Sequence, residues 1–599
     1  MINTIKEKYL LYLSQNKSKY EKIKKRSNIV SVLRLVEFVA GAILVYYATL
    51  INFPTVILTI VLTIVVLLFL VKYYNKLEDK KKYLQQLINI NSNELEALEG
   101  KYSHFSSGKE FSNPDHPFTY DLDFFGEGFL FQFLNRTCTN LGKNKLASCL
   151  KSPFKTRDEI INQQKAIDEL SSQLEWRQDF QATGNLFEDK KDDKEILNKW
   201  LNSPTLFADK FIFKFLIIFF PTINVAALFL SSFNIIPVQI LFLLLLISLA
   251  IVGKYLKKIN EIHNIIGKRT GLLKTYAKLL SKIENQEFES KKLVELKTSL
   301  KNNNTDACLT IDKIAKIGAA LDNRSNMIAG ILLNTFLLWD IIQVFRIENW
   351  KNKYKNDLEN WLDVIAEFDS LSSFACFKYN TPDSVFPEIS NDKFHIDAKQ
   401  VGHPLIFKEQ RVDNDINVSH FKQFIIITGA NMAGKSTYLR TIGVNLIMAM
   451  CGSSVIAKEF VFSPVEIFTS LRTTDSLVKN ESYFYAELKR LKRIIDELKA
   501  GKEVFIILDE ILKGTNSKDK QTGSKALLKQ LIEHDAAGFI ATHDVSLGEL
   551  EKEYPNNILN RRFEVEIEND QLVFDYKLKQ GISQNLNATF LMKKMGITI

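Results

Sequence analysis

Two long apolar runs constrain the fold of this sequence more than any other feature. Residues 36–71 read VEFVAGAILVYYATLINFPTVILTIVLTIVVLLFLV, and Glu37 is the only charged residue among them. A helix that crosses the roughly 30 Å hydrocarbon core of a bilayer needs about 20 such residues. The break at Asn52-Phe53-Pro54 therefore predicts two membrane spans joined by a tight turn.

A second pair of spans is predicted at 211–231 and 235–253, where Lys214 is the only charge. The alternative is four buried helices of a large soluble core, but charge-free runs of this length are rare in water-soluble chains. A third apolar run, from Ile328 to Phe345, is interrupted by polar residues. We interpret it as one buried core helix rather than a membrane span.

Basic residues flank the outer ends of both predicted pairs, and the two short turns carry no charge. The flanking residues are Lys17, Lys19, Lys22, Lys24, Lys25, Arg26, Lys72, Lys76, Lys80, Lys81, Lys82, Lys210, Lys254, Lys257 and Lys258. The positive-inside rule predicts a multi-pass inner-membrane protein with its N-terminus, middle region and C-terminal region in the cytoplasm. The start, MINTIKEKYLLYL, has no signal-peptide pattern.

The remaining composition is that of a folded protein. Charged residues make up 25% and hydrophobic residues 46% of the 599 residues, which excludes a wholly disordered chain. The five cysteines include no C-x-x-C pair, which argues against a zinc ribbon or a disulfide scaffold. Residues 254–301 hold 12 Lys and Arg against 5 Glu. This segment is either a basic face for nucleic acid or anionic lipid, or a solvated juxtamembrane helix.

The segment FIIITGANMAGKSTYLR, residues 424–440, contains the complete pattern G-x-x-x-x-G-K-[ST] between a strand and a helical pattern. It predicts a loop that binds the phosphates of ATP. Lys435 would reach the β- and γ-phosphates, and the Ser436 hydroxyl would ligate Mg²⁺. The predicted nucleotide-binding residues are Gly429, Ala430, Asn431, Met432, Ala433, Gly434, Lys435, Ser436 and Thr437.

Two further strands end in polar residues. Residues 503–510, EVFIILDE, end in Asp509, predicted to hold Mg²⁺ through water, and Glu510, predicted to orient the attacking water. A solvated strand end is the alternative for this acidic pair, but the phosphate loop upstream favours catalysis. The strand from Gly538 to Thr542 is followed by His543, which could contact the γ-phosphate. Three such units predict a sheet with helices on both faces.

These motifs resemble the ATPase domain of the MutS family of DNA mismatch-repair proteins. The family's TGPNMGGKST is TGANMAGKST at 428–437, its DEIGRGTS is DEILKGTN at 509–516, and its G-x-S-T-F-x-x-E-M is similar to ESYFYAEL at 481–488. Gly402-His403-Pro404 and Asn414-Asp415 resemble elements that precede the family's phosphate loop. Residues 133–170 and 361–375 resemble two parts of the helical MutS core.

The resemblance implies an α/β P-loop NTPase domain, ABC-like in the MutS manner, after an all-α core and lever region that carries two transmembrane hairpins. The predicted divisions are a basic helix at 1–30, hairpin 1 at 31–74, a helical region at 75–205, hairpin 2 at 206–256, a lever and core return at 257–379, and the ATPase at 380–599.

The resemblance also implies a homodimer with two composite sites. One chain would supply Lys435, Ser436, Asp509, Glu510 and His543, and the other chain the segment around Ser482. ATP would close the dimer, hydrolysis would reopen it, and the helical arms that end in the membrane would move. Asn431 would lie beside the phosphates or beside the water at the γ-phosphate.

One departure concerns DNA. The family's mismatch-reading G-x-F-Y-E wedge is absent, and we interpret Phe125-Gly126-Glu127 as a coincidental match. The predicted function is a membrane-anchored, MutS-like ATP hydrolase that uses ATP and Mg²⁺ as a conformational switch coupled to mismatched, branched or damaged DNA. The alternative is an ATP-driven switch for the membrane or a protein partner, without DNA binding. An ABC transporter would need about six spans per half and an LSGGQ-like signature, neither of which is found.

Overall fold

The computed structural model describes residues 2–187, 189–190, 192–301, 305–430, 432–472, 483–513, 515–568 and 571–583. The part that precedes residue 381 is predominantly helical, and the part that follows is mixed α/β. The helices of the first part are α1 Ile2–Ala48, α2 Phe53–Leu98, α3 Leu130–Leu134, α4 Asn140–Lys151, α5 Arg157–Ser172, α6 Leu174–Gly184, α7 Asp193–Asn202, α8 Phe211–Ser232, α9 Val238–Ile265, α10 Thr270–Asn285, α11 Lys291–Thr298, α12 Ala307–Asp322, α13 Met327–Leu337 and α14 Trp339–Asn380.

Helices α1 and α2 form one long antiparallel hairpin. Each extends about 70 Å at 1.5 Å per residue. The turn between them is closed by Asn52, whose side chain accepts a hydrogen bond from the Thr55 amide at 3.0 Å, while Pro54 occupies the first turn of α2. A proline is tolerated there because the first amides of a helix have no intrahelical acceptor. The half of the hairpin near this turn exposes large apolar side chains, and the other half is charged.

Four helices among the described residues are long and apolar enough to cross a membrane, judged by length and composition: α1, α2, α8 and the helix that begins with α9. The number becomes five if the bent pair α13 and α14 is counted as one broken span. Helix α13 packs on both α8 and α9.

The prediction of one helix from Ile328 to Phe345 is wrong. The chain bends by 80° between α13 and α14 at Leu338, which takes a left-handed conformation with φ 51°. The Asn334 side chain stabilises the break, since its oxygen accepts from the Asp340 amide at 2.9 Å and its nitrogen donates to the Gly330 carbonyl at 3.0 Å. The amide side chain thus replaces helical backbone bonds that the break removes. The prediction of burial also fails for α13, where Ile328 is 72% exposed.

Among its described residues, the second part of the chain contains α15 Lys435–Met450, α16 Tyr483–Lys499, α17 Ser517–Glu533, α18 Leu550–Glu553 and ten strands. The strands are β1 Glu388–Ile389, β2 Ile396–Val401, β3 Asn414–Val418, β4 Phe424–Thr428, β5 Glu459–Phe462, β6 Glu466–Ser470, β7 Val504–Asp509, β8 Ala536–Thr542, β9 Ile558–Glu568 and β10 Gln571–Gln580. They form a four-stranded sheet of order β1-β5-β2-β3 and a six-stranded sheet of order β10-β9-β4-β8-β7-β6.

The larger sheet is covered by helices on both faces. Its strands β9, β4, β8, β7 and β6 are parallel, and β10 is antiparallel to β9. Successive side chains of a strand point to opposite faces. In β4, Ile425 and Ile427 accordingly pack in the core that contains α15, whereas Phe424 and Ile426 pack in the core that contains α16 and α17. The parallel strands therefore bring the ends of β4, β7 and β8 together at one edge.

Candidate functional site

The loop between β4 and α15 takes backbone conformations with positive φ, which favour glycine. Gly429 and Gly434 have φ values of 154° and 105°, in the region that favours glycine, and Met432 also has a positive φ of 66°. A Cβ atom at Gly429 would lie 2.7 Å from the Phe563 carbonyl oxygen. The glycines therefore let the chain turn sharply from the strand into the helix. Asn431 lies outside the described residues.

The ammonium group of Lys435 is held by this loop. Lys435 is buried, and its Nζ donates to the carbonyl oxygens of Gly429 and Ala430, each at 2.8 Å. It also lies 3.3 Å from Nε2 of His543. Burial lowers the pKa of Lys435, while the carboxylates of Asp509 and Glu510 act in the opposite direction. A cation so placed would bind phosphate oxygens in exchange for loop carbonyls.

Ser436 and Asp509 meet at the ends of two parallel strands. Asp509 is the last residue of β7, and one of its carboxylate oxygens accepts a hydrogen bond from the Ser436 hydroxyl at the start of α15. Hydroxyl and carboxylate oxygens are ligands that Mg²⁺ accepts, together with waters and phosphate oxygens. Among the residues that the structure describes, no group of three or more His, Cys, Asp and Glu could hold a metal ion. The pair therefore fits a cation that a phosphate helps to bind.

Glu510 lies between two basic groups. Its Oε1 is 2.6 Å from Nε2 of His543, and its Oε2 is 3.2 Å from Nζ of Lys513. The hydrogen bond from His543 and the positive charge of Lys513 lower the pKa of Glu510 to about 2, against the effect of burial. The residue has a left-handed φ of 52°, and its amide donates to the Ala541 carbonyl at 2.9 Å. The ends of β7 and β8 thus place an ionised carboxylate beside an imidazole.

These groups surround a cavity of about 790 Å³. That volume lies within the range of typical small-molecule sites. Of the predicted nucleotide-binding residues, Ala430, Met432, Gly434, Lys435, Ser436 and Thr437 line it, as do Asp509, Glu510 and His543. Ala433 is buried behind the loop. Ser482, predicted to complete a partner's site, lies outside the described residues.

Sequence reasoning missed the far wall of this cavity. Tyr576, in β10, lines it and would contact a Cβ atom built on Gly434 at 3.1 Å. The tyrosine is positioned by Asn414, which donates to the Tyr576 carbonyl at 2.9 Å and accepts from the Leu578 amide at 2.8 Å. The elements at 402–404 and 414–415 were the signals in the sequence that pointed to this side of the cavity, since His403 and Asn414 both line it.

Glu487 is a second residue whose role the sequence did not show. It lies on α16, is 3% exposed, and its carboxylate accepts from the amides of Leu512, at 2.5 Å, and Lys513, at 3.2 Å. Burial raises the pKa of Glu487, and the two amides oppose this. Glu487 thereby ties α16 to the loop that carries Glu510.

Two observations bear on DNA contacts. Phe125 is 5% exposed and packs against Phe111 and Phe131, so it has no surface on which a base could stack. In the basic segment 254–301, at least five residues form ion pairs within the chain, which reduces the charge available to a phosphate backbone. They are Lys258, Arg269, Lys282, Lys291 and Lys292.

Comparison with known proteins gives two family models that match this chain. The model of MutS domain III matches residues 118–375, and the model of MutS domain V matches residues 425–593. The second range contains every site residue described above except His403 and Asn414. Both matches support the MutS family.

Individual relatives agree. The chain is 32% identical over 250 residues to the DNA mismatch repair protein MutS of Thermotoga maritima, which covers 41% of this chain and 30% of the relative. It is 33% identical over 235 residues to human MutS protein homolog 4, covering 38% of this chain and 24% of the relative. Each match thus spans less than a third of the relative's own length.

Proposed function

We propose that this MutS-related chain is an ATP hydrolase that binds ATP and Mg²⁺ in the cavity at the edge of the larger sheet. The observation that carries the proposal is the convergence around one cavity of five side chains from the start of α15 and the ends of β7 and β8: Lys435, Ser436, Asp509, Glu510 and His543. ATP hydrolysis needs this combination of a phosphate-binding cation, metal ligands and a group that orients water.

Each residue has a role that follows from its contacts. Lys435 would exchange the loop carbonyls for β- and γ-phosphate oxygens. Ser436 and Asp509 would hold Mg²⁺, which neutralises phosphate charge when it is bound. Glu510 is ionised at neutral pH and can accept a hydrogen bond from the attacking water. His543 orients Glu510 and lies close enough to Lys435 to respond to the γ-phosphate.

The surroundings of the site extend the proposal. The chain acts as a homodimer in which Ser482 of one protomer completes the site of the other. It is anchored in the inner membrane by α1, α2, α8 and α9, with the ATPase in the cytoplasm. ATP binding and hydrolysis switch the dimer between two conformations, coupled to DNA. The relatives support the coupling, since the Thermotoga protein is named a DNA mismatch repair protein.

The test is ATP hydrolysis by the full chain in detergent. Glu510→Gln removes the charge that orients water, so we expect kcat to fall by about 10²-fold or more while ATP still binds. Lys435→Ala should weaken ATP binding itself. Glu553→Gln is the matched control because Glu553 is exposed and pairs with Lys529, away from the cavity. Equal activity in Glu510→Gln and Glu553→Gln would contradict the proposal.

The same assay tests the coupling to DNA. Duplex, mismatched and branched DNA are compared at about 0.1 M salt, because phosphate contacts weaken steeply with salt. Stimulation that disappears in Glu510→Gln supports a DNA-coupled switch.

The second candidate is a membrane or protein-partner switch, which the burial of Phe125 and the docking of the α1–α2 hairpin on the helical core favour. Activity that no DNA changes would select it.

A further inference from the structure

A loop of the helical part of the chain is inserted against the ATPase part. Residues 115–123 precede α3, yet their polar groups pair with elements more than 300 residues away. Asp121 is fully buried, and its carboxylate accepts from the Thr469 hydroxyl at 2.7 Å and the Leu471 amide at 3.1 Å. The Thr469 amide donates to the Pro117 carbonyl at 2.9 Å. The loop is therefore bonded to the end of β6.

The two carboxylates of this loop bind three arginines from three different elements. Arg490 of α16 lies 2.8 Å from Asp121. Arg472, just after β6, makes two hydrogen bonds to Asp123 at 2.5 and 3.0 Å. Arg440 of α15 lies 3.2 Å from Asp123 through its Nε. Paired carboxylate–guanidinium contacts of this kind fix orientation as well as distance.

Each arginine lies close in the sequence to a residue that belongs to, or is expected to complete, the nucleotide site. Arg440 is one helical turn beyond Ser436. Burial lowers its pKa, and the carboxylates of Asp123 and Asp509 both act to raise it, so Arg440 lies in the field of both. Arg490 is three residues beyond Glu487 on α16, and residues at this spacing share a helix face.

The third arginine, Arg472, directly precedes residues 473–482 in the sequence, and these include Ser482. The acidic loop therefore contacts α15, which carries Ser436, α16, which carries Glu487, and the residue that precedes the segment expected to reach the partner.

We propose that Asp121 and Asp123 are positioning residues through which the helical core sets the geometry of ATP hydrolysis. The inference rests on the proposed function and deepens it, since it names the contact that joins the switch to the rest of the molecule. A carboxylate that is removed leaves partly buried arginines without their ion-pair partner, so we expect the three segments and the loop to shift relative to one another.

The test uses Asp123→Asn in the full chain. Asparagine keeps the shape of aspartate and is among the residues that accept the left-handed φ of 57° at this position. We expect kcat to fall by about tenfold while the KM for ATP and the affinity for a fluorescent ATP analogue change less than about twofold. The matched control is Asp193→Asn, which removes a buried aspartate–arginine pair, to Arg269 at 2.7 Å, inside the helical core.

A double substitution separates positioning from general destabilisation. Asp123→Asn combined with Arg440→Gln should cost less in kcat than the product of the two single effects, because both changes remove the Asp123–Arg440 contact. Asp193→Asn combined with Arg440→Gln should show the product of the two effects. Thermal unfolding of each variant is measured alongside. If Asp123→Asn does not fold, Arg472→Gln removes the other ion pair of Asp123 and replaces Asp123→Asn in the comparison with Asp193→Asn.

Three outcomes are distinct. A kcat loss in Asp123→Asn that exceeds that of Asp193→Asn, with non-additivity, supports the proposal. Equal losses of kcat in Asp123→Asn and Asp193→Asn, or additive effects of Asp123→Asn and Arg440→Gln, overturn the proposal. The cluster would then have a structural role only. Activity of the unsubstituted chain that Glu510→Gln does not remove overturns the proposed function instead.

Discussion

At the scale of single residues, Asp369 shows how burial and hydrogen bonding compete. It lies within α14, is 1% exposed, and accepts hydrogen bonds from the amides of Cys138, at 3.0 Å, and Thr139, at 2.9 Å, and from the Thr139 hydroxyl at 2.6 Å. Burial raises the pKa of its carboxyl to about 6, against the effect of these donors. The side chain holds the start of α4 against α14.

This shift predicts a pH dependence of stability. The pKa of Asp369 is higher in the folded chain than the value of about 3.9 in an unfolded one. Its contribution to the free energy of unfolding is therefore fully present below about pH 4 and is lost as pH rises through about 6. The loss is about 2 kcal/mol between pH 4 and pH 7, at 1.36 kcal/mol per unit of pKa difference.

The measurement is denaturant unfolding of the full chain and of Asp369→Asn between pH 4 and pH 7. Asparagine does not titrate, so the free energy of unfolding relative to this variant should decrease over that range. A difference between the two proteins that stays constant with pH would contradict the prediction.

The site residues differ in how far the sequence could predict them. Lys435, Ser436, Asp509 and Glu510 stand in short patterns whose spacing reflects phosphate and metal chemistry, so their proximity could be predicted. Asp121 could not, because its partner Arg490 is 369 residues away and no local pattern links them. Contacts of this kind depend on how finished elements pack.

At the scale of elements, the same distinction holds. The strands β4, β7 and β8 and the helix α15 follow from apolar runs and glycine positions that lie next to one another in the chain. The break at Leu338 does not, since leucine is an ordinary helix former and the bond from Asp340 to Asn334 spans six residues. Helix α16 is predictable as a helix, but its function depends on Glu487 reaching a loop that follows β7.

Glu487→Gln tests that function. Glutamine has one acceptor oxygen, whereas the carboxylate accepts from both Leu512 and Lys513, so one amide should lose its partner. The loop that carries Glu510 should become less ordered, and we expect kcat to fall by about tenfold with a smaller change in ATP binding.

The control for this prediction lies on the same helix. Glu497→Gln removes an ion pair to Lys502 at 2.6 Å without touching the loop, and it should leave kcat nearly unchanged. If both variants lose activity equally, α16 as a whole rather than the Glu487 contact accounts for the effect.

At the scale of the whole molecule, the α1–α2 hairpin is bonded to the helical core by its charged end. Tyr9 donates to Asn380 at 2.9 Å, Asn380 donates to Glu94 at 2.8 Å, and Glu94 forms a buried ion pair with Arg136. These contacts join α1 and α2 to the end of α14, just before the ATPase part begins. The other end of the hairpin exposes a continuous apolar surface that is larger than soluble proteins normally leave in contact with water.

This arrangement predicts a membrane topology. With the charged ends and the ATPase in the cytoplasm, the turns after α1 and α8 should both lie on the opposite side of the membrane. Leu50, 70% exposed, and Ile235, 65% exposed, mark these two turns. Leu50→Cys and Ile235→Cys should therefore react with a membrane-impermeant maleimide in intact cells.

Asn556→Cys, on the exposed surface of the ATPase part, is the matched control and should react only after the membrane is opened. Labelling is measured against the unsubstituted chain, whose own five cysteines set the background. If all three variants react only after permeabilisation, the predicted membrane crossing is wrong. The apolar surface of the hairpins would then be a binding site for another protein. Labelling of one turn alone would show that the two hairpins enter the membrane from different sides. Closure of the ATPase dimer could then not move both hairpins in one step.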